Sequence, residues 1–114
     1  MQPRSRKLLE DVRDAAAFVR QITGDRTLQQ YSADRMLRQA VERNFEIIGE
    51  ALKRLAAGDP ATAGRIGEYR QIIAFRNILI HGYDLVDHAV VWSVIETQLP
   101  VLVEDVSTLL REPD

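Results

Sequence analysis

The sequence predicts an all-α fold, an antiparallel bundle of four to five helices in a single domain spanning residues 1–114. Apolar residues recur at steps of three and four along most of the 114 residues, which is the period of an amphipathic helix. Strand signals are absent, and so are repeats, linkers and low-complexity tracts. The chain is 46% hydrophobic and 28% charged, which suits a packed core and excludes the disordered class.

Two apolar stripes predict the first two helices. The first helix should run from about residue 4 to residue 22 and end at Thr23-Gly24-Asp25. Residues 27–31 are interpreted as a short lead-in turn, after which Ser32 caps the second helix and Asp34 lies in its first turn. The second helix continues to about residue 58. Its Gly49 costs about 1 kcal/mol relative to alanine, so it predicts the close approach of another helix.

Two further helices complete the predicted bundle. The third should begin near residue 66 or 67 and end at His81, with Gly82 as its stop. Asp84 or Asp87 can begin the fourth, whose apolar stripe continues through Pro100 to about residue 109. Because proline has no N–H to donate, Pro100 should kink this helix or divide it in two.

Charge and composition restrict the possible functions only weakly. Residues 1–83 carry 14 Lys/Arg against 10 Asp/Glu, whereas residues 84–114 carry one against seven, so the net charges are +4 and −6. This asymmetry permits a local basic surface, although solvated helix faces account for most such charges. The chain has no cysteine, which excludes disulfides and fits the cytoplasm, where we expect the protein. No apolar run is long enough for a membrane span, and the first 25 residues do not resemble a signal peptide.

The end of the third helix carries the most informative residues of the chain. Arg76 lies inside the apolar arc of that helix, where a charge is costly unless another group pairs with it. Asn77 and His81 share a face, but Arg76 is rotated from His81 by about 140° on an ideal helix. The two side chains therefore converge only if the helix unwinds near Gly82 or if a symmetric dimer completes the site. The dimer is the preferred interpretation.

An arginine and a histidine together suit the cleavage of RNA. RNA carries its own nucleophile, the 2′-OH, so an enzyme needs only a proton carrier and positive charge on the transition state. Histidine can carry the proton near neutral pH, and arginine binds phosphate oxygens with a planar fork. No cluster of metal ligands is visible, and His88 lacks companions at ligand spacing. Because His88 is close to the start of the fourth helix, we expect it to be solvated.

Plainer interpretations of the same residues remain open. A lone arginine and a lone histidine on a helix are usually surface or packing residues. Tyr83 is more often an aromatic at the edge of a core than a functional phenol, and Asn77 with Gly82 can be an ordinary helix C-terminal device.

The spacing Arg76-x4-His81-x-Tyr83 resembles the R-x4-H-x-Y signature of HEPN-superfamily ribonucleases, and the chain is similar to a HepT-type toxin. The resemblance extends through much of the chain, so it is more specific than an isolated R-x4-H. The other similar segments are Ala40-Val41-Glu42-Arg43-Asn44, Ile48-Gly49-Glu50-Ala51, Val90-Val91-Trp92 and Leu99-Pro100.

The resemblance implies a metal-independent endoribonuclease that acts as a homodimer, needs no cofactor and belongs to a bacterial or archaeal type VII toxin–antitoxin system. Arg76 and His81 would be its catalytic pair, with Asn77 in support. A minimal nucleotidyltransferase of the MntA type would be the antitoxin. It would neutralise the toxin by transferring AMP from ATP to Tyr83, which adds bulk and negative charge beside the catalytic pair.

Two alternatives and one departure from the family pattern accompany this interpretation. The chain could be a catalytically silent HEPN scaffold that binds and positions a nucleotidyltransferase, or an unrelated four-helix interaction protein.

Many similar proteins carry Trp and Pro before the third helix, where this chain has residues 64–69. Tyr69 is expected to replace that Trp in the core.

Overall fold

The computed structural model describes residues 1–113, which form helices joined by short connections and contain no strand. The α-helices are α1 (Pro3–Thr23), α2 (Leu28–Ala33), α3 (Arg35–Gly58), α4 (Pro60–Ala63), α5 (Tyr69–His81), α6 (His88–Ser93) and α7 (Leu99–Arg111), with a 3₁₀ turn at Tyr83–Leu85 and a π-helical stretch at Val94–Gln98. The last three helical segments follow one another without a break. Four long rods therefore make up the bundle, which confirms the predicted fold class. Within the described residues, no helix combines the length and the apolar character needed to cross a membrane.

The core lies around α3, which packs against α1 on one side and α5 on the other. Buried side chains of α3 recur at the helical period, and the ring of Phe45 meets that of Phe75 on α5 edge-on, with centroids 5.3 Å apart. Burying each large side chain of this kind stabilises the fold by about 1.5–3 kcal/mol. The buried residues of α3 are Leu37, Val41, Phe45, Ile48, Gly49, Ala51, Leu52 and Leu55.

The predicted start of the second long helix is wrong by a few residues. Asp34, not Ser32, is the cap of α3, because its carboxylate accepts a hydrogen bond from the backbone N–H of Leu37 at 3.0 Å. Ser32 lies in the short helix α2, which Thr27 caps through a reciprocal capping box with Gln30. The expected lead-in turn is therefore a helix of its own, and the capping box was the sequence signal for it.

The third predicted helix also begins later than expected, at Tyr69. Glu68, the residue immediately before it, has φ of 64°, which is the left-handed region. A right-handed α-helix cannot include a residue in that conformation, so α5 cannot begin before Tyr69. Tyr69 itself is partly buried against the core, so it packs where the expectation placed it.

Asp87, rather than Asp84, caps the fourth rod, since its carboxylate accepts from the N–H of Ala89 at 2.8 Å. Pro100 lies in the first turn of α7, directly after the π-helical stretch. The π-helical stretch divides the rod into two α-helices next to Pro100, as predicted, while the rod itself continues. A wider turn at this point is consistent with a proline that donates no hydrogen bond and crowds the preceding turn.

Candidate functional site

Arg76 lies where α5 comes closest to α3. A Cβ atom added to Gly49 would be 2.3 Å from Cβ of Arg76 and 2.5 Å from its Cγ, distances that no real Cβ contact shows. Only a glycine at position 49 leaves room for the stem of Arg76. The close helix approach predicted from Gly49 is therefore confirmed, and the residue it admits is the arginine of the motif.

The guanidinium of Arg76 is held by hydrogen bonds and only 16% of the side chain is exposed. Its Nη2 donates to Oε2 of Glu50 at 2.7 Å, and its Nη1 donates to Oδ1 of Asn77 at 3.0 Å. The other oxygen of Glu50 accepts from Nε of Arg54 at 3.0 Å. The hydrogen bond from Arg54 and the charge of Arg76 lower the pKa of Glu50, so the carboxylate stays ionised at neutral pH.

Arg76 borders a cleft of about 240 Å³ between α1, α3 and α5. Its walls are formed in part by Leu8, Ile47 and Ile80, and its polar lining includes three arginines and three carboxylates. The arginines are Arg43, Arg54 and Arg76; the carboxylates are Asp11, Glu46 and Glu50. The cleft is therefore balanced in charge, unlike the basic surface that the charge asymmetry of the sequence permits.

His81 is not brought to Arg76 within one chain. Helix α5 stays α-helical through His81, and Gly82 then ends it with its N–H bonded to the carbonyl of Ile78 at 2.8 Å. The unwinding that would join the two side chains does not occur. His81 is exposed on the outer face, and Ile80, not His81, borders the cleft with Arg76. Of the two arrangements that the sequence left open, unwinding of the helix is excluded, and completion by another chain stays a prediction.

Tyr83 stands in the 3₁₀ turn that follows α5, with 80% of its surface exposed. The interpretation of Tyr83 as an aromatic at the edge of the core is therefore wrong. Gly82 acts as an ordinary helix stop, as expected, whereas Asn77 turns its amide oxygen to Arg76.

A family model described as "Ribonuclease HepT-like" matches residues 12–109, which is most of the chain. The chain belongs to the HepT-like ribonuclease family. It is 31% identical to "Probable ribonuclease HepT" of Thermococcus cleftensis over 94 residues, 82% of this chain and 84% of that protein. It is also 31% identical to "Putative RNase MJ1380" of Methanocaldococcus jannaschii over 98 residues, 86% of this chain and 89% of the relative.

A longer relative from the same archaeon matches as well. The chain is 29% identical to "Gamma-glutamylcyclotransferase and putative RNase MJ0434" over 106 residues, and this aligned stretch is 93% of the chain. The chain spans about half of that relative, 47% of its length. No solved structure matches the chain.

Sequence reasoning missed Glu50 as the partner of Arg76. The signal was present, because a cation in an apolar arc requires a partner. Glu50 follows Gly49, the residue that predicted where another helix comes close. What the sequence lacked was the register between α3 and α5, which places position 50 rather than 46 beside the guanidinium.

The expectation that His88 is solvated is also wrong. Its Nδ1 is buried and finds no partner among residues 1–113, and its ring lies edge-on to Tyr31 with centroids 6.3 Å apart. Burial also raises the pKa of nearby Glu42. In the described part of the chain, no group of three or more His, Cys, Asp or Glu side chains is arranged to hold a metal ion.

Proposed function

We propose that this HepT-like chain is an endoribonuclease toxin whose catalytic pair, Arg76 and His81, meets in the cleft of a homodimer. The observation that carries the proposal is that α5 holds one of these residues in place and leaves the other exposed. Arg76 is fixed by Glu50 at 2.7 Å, and five residues later His81 stands exposed at the helix end. A fixed cation and an accessible imidazole are the two groups that RNA cleavage requires.

The proposed chemistry uses the nucleophile that RNA itself supplies. The 2′-oxygen attacks the adjacent phosphorus as its proton passes to a base, and the 5′-oxygen leaves with a proton from an acid. His81 serves in proton transfer, because an imidazole can accept and donate near neutral pH. Arg76 stabilises the charge that grows on the phosphoryl oxygens. Since neither role needs a metal ion, we propose that cleavage is metal-independent.

The outer face of α5 supports assembly into a dimer. Ala74, Asn77, Ile78 and His81 are all exposed and spaced as positions i, i+3, i+4 and i+7, the pattern of a helix-packing seam. Ile78 leaves 51% of its surface exposed. If this face packs on itself about a two-fold axis, His81 and the partner's His81 lie in one interface. Because Arg76 lies in the cleft on the other side of α5, the proposed site also requires the partner chain to reach that cleft.

Cleavage of RNA by the purified chain tests the proposal. We expect cleavage that persists in EDTA and falls by about 100-fold or more in His81→Ala, since general acid–base groups contribute at least that much. Light scattering at micromolar concentration should give the mass of a dimer. Cleavage lost in EDTA and restored by magnesium would overturn the metal-independent mechanism. A folded wild-type dimer that cleaves no RNA would favour the silent scaffold instead.

We also propose that the chain works with a minimal nucleotidyltransferase antitoxin that modifies Tyr83. The phenol is 80% exposed and lies two residues beyond His81, so another enzyme can reach its oxygen. That oxygen would attack the α-phosphorus of ATP, release pyrophosphate and lose its proton, leaving AMP on the tyrosine. The added phosphate would repel RNA and occupy space beside His81.

A further inference from the structure

We propose that Glu50 is a positioning residue, whose carboxylate holds the Arg76 guanidinium in the orientation in which it meets an RNA phosphate. The inference rests on the proposed ribonuclease function and concerns a residue outside the R-x4-H-x-Y spacing.

Arg76 is fixed at its stem by backbone and at its head by Glu50. The aliphatic stem of Arg76 packs against the backbone at Gly49. A Cβ atom built on Gly49 would be 2.3 Å from Cβ of Arg76 and 2.5 Å from its Cγ. The remaining freedom is rotation of the guanidinium, and the 2.7 Å bond to Glu50 restrains it. Asn77, the other partner of the guanidinium, is the exposed neighbour of Arg76 on α5 and a neutral acceptor, so it restrains the head less.

Glu50 is well suited to act as this restraint because its second oxygen is also engaged. Arg54, one turn further along α3, donates to that oxygen at 3.0 Å. The three side chains form a row of cation, anion and cation with a net charge of +1. Glu50 is therefore shared between two guanidiniums and does not neutralise Arg76 alone, within a cleft whose charged lining as a whole sums to zero.

The orientation of Arg76 leaves donors unused. Its Nε–H is buried and has no partner within residues 1–113, although a buried unpaired donor is costly. The guanidinium therefore does not adopt the arrangement that would satisfy it best. It adopts the one that the bond to Glu50 imposes. The buried Nε–H is out of reach of a phosphate, but Nη1 and Nη2 each donate only one bond and keep a second N–H, so the held guanidinium still has donors for an oxyanion.

Two other roles for Glu50 would give different kinetic results when its side chain is removed. If Glu50 merely competed with RNA for Arg76, its removal would free the cation and raise activity. If Glu50 acted only through its negative charge, its removal would strengthen RNA binding and lower KM without lowering kcat. A positioning residue that does not touch RNA should instead change kcat, because the phosphate contact strengthens in the transition state.

The experiment compares Glu50→Ala with Glu46→Ala in the full chain. Glu46 lies four residues earlier on α3 and lines the same cleft, but its carboxylate pairs with Arg43 at 3.4 Å and not with Arg76. The two variants remove equal charge. Three quantities are measured: the order parameter of the Arg76 Nε–H bond by NMR relaxation, kcat and KM for RNA cleavage, and the melting temperature.

We expect the Arg76 side chain to lose order in Glu50→Ala and to stay ordered in Glu46→Ala. We expect kcat in Glu50→Ala to be about 10-fold to 100-fold below that in Glu46→Ala, the scale of a misplaced catalytic group. Glu50→Gln should recover part of the loss, because its amide oxygen can still accept from Arg76. Equal Arg76 order in the two alanine variants, or equal or higher kcat in Glu50→Ala, would overturn the inference.

The NMR measurement separates this inference from the proposed function. If the wild-type chain cleaves no RNA, the proposed function fails, and the order of Arg76 still decides whether Glu50 holds it. If the wild-type chain cleaves RNA and Arg76 keeps its order without Glu50, the function stands and the positioning role fails. A large fall in melting temperature confined to Glu50→Ala would assign Glu50 to folding and overturn the inference as well.

Discussion

The two ends of the R-x4-H segment are built differently. Arg76 has a buried stem and two hydrogen bonds, one of them to a carboxylate on α3. Five residues later the chain presents His81 and Tyr83 to solvent, and Tyr83 is 80% exposed. The first region is complete within one chain. In the second region, His81 and Tyr83 are exposed and another molecule can contact them.

This difference separates the groups that must be held from the groups that must be reached. A cation that stabilises a transition state works best when it is oriented beforehand, so burial against α3 suits Arg76. In the proposed mechanism, a proton carrier shared across a dimer and a tyrosine open to modification must lie outside the core. Changes in the first region should therefore affect both stability and cleavage, and changes in the second should affect cleavage or regulation alone.

The largest expected effect comes from changing the shape of the held cation without changing its charge. Arg76→Lys should lower kcat by about 100-fold, since an ammonium cannot replace a fork that bonds both a carboxylate and a phosphate. Arg54→Lys, on the far side of Glu50, is the matched change and should cost much less. Cleavage rates of the two variants check this. Wild-type activity in Arg76→Lys would reduce Arg76 to a background charge.

Adding one carbon beneath Arg76 should destabilise the fold. Gly49→Ala places a Cβ 2.3 Å from Cβ of Arg76, so α3 and α5 must separate, at a cost of about 1–3 kcal/mol in unfolding free energy. Gly58→Ala is the control, because a Cβ there meets no atom within 4 Å. Urea unfolding measures both. Similar free energies for the two variants would mean that the close approach at Gly49 is not fixed.

The pairing of Glu50 should contribute a smaller, pH-dependent stability. Its pKa in the folded protein is lowered below the ordinary 4.5, first by the hydrogen bond from Arg54. The contribution is therefore full above pH 4.5 and disappears as the pH falls through the folded pKa. With 36% of the Glu50 side chain exposed, solvent screening limits it to less than about 1 kcal/mol.

Unfolding of wild type and Glu50→Gln, compared between about pH 6 and about pH 3, tests this prediction. The gap in unfolding free energy should close as the pH falls. A gap that widens in acid would contradict the sign of the shift.

The smallest effect on cleavage is expected at Tyr83. Tyr83→Phe removes a hydroxyl that makes no hydrogen bond within the described residues, so cleavage should stay within about twofold of wild type, as is usual for an exposed substitution. Incubation with the cognate nucleotidyltransferase and ATP should silence the wild type with a mass increase of one AMP, and leave the Phe variant active. Equal silencing of both without a mass change would point to inhibition by binding.

The sequence predicted the bundle and the close approach of α3 and α5 better than it predicted the connections between helices. Apolar period alone placed the long helices, and Gly49 indicated the close approach. The start of α5 was missed because it depends on the left-handed conformation of Glu68. A glutamate gives no sequence signal for that conformation, which usually indicates glycine or asparagine. The partner of Arg76 was missed for a related reason, since the register between two helices is a property of packing rather than of either helix.

The most direct test of the shared site is complementation between two inactive variants. Arg76→Ala lacks the held cation and His81→Ala lacks the exposed imidazole, so neither homodimer should cleave RNA. After the two are mixed and allowed to exchange subunits, half of the dimers are mixed, and each has one complete site made from both chains. We predict recovery of about a quarter of wild-type activity for such a two-fold site. A mixture that exchanges subunits and stays inactive would contradict it, because Arg76 and His81 would then not act across the dimer.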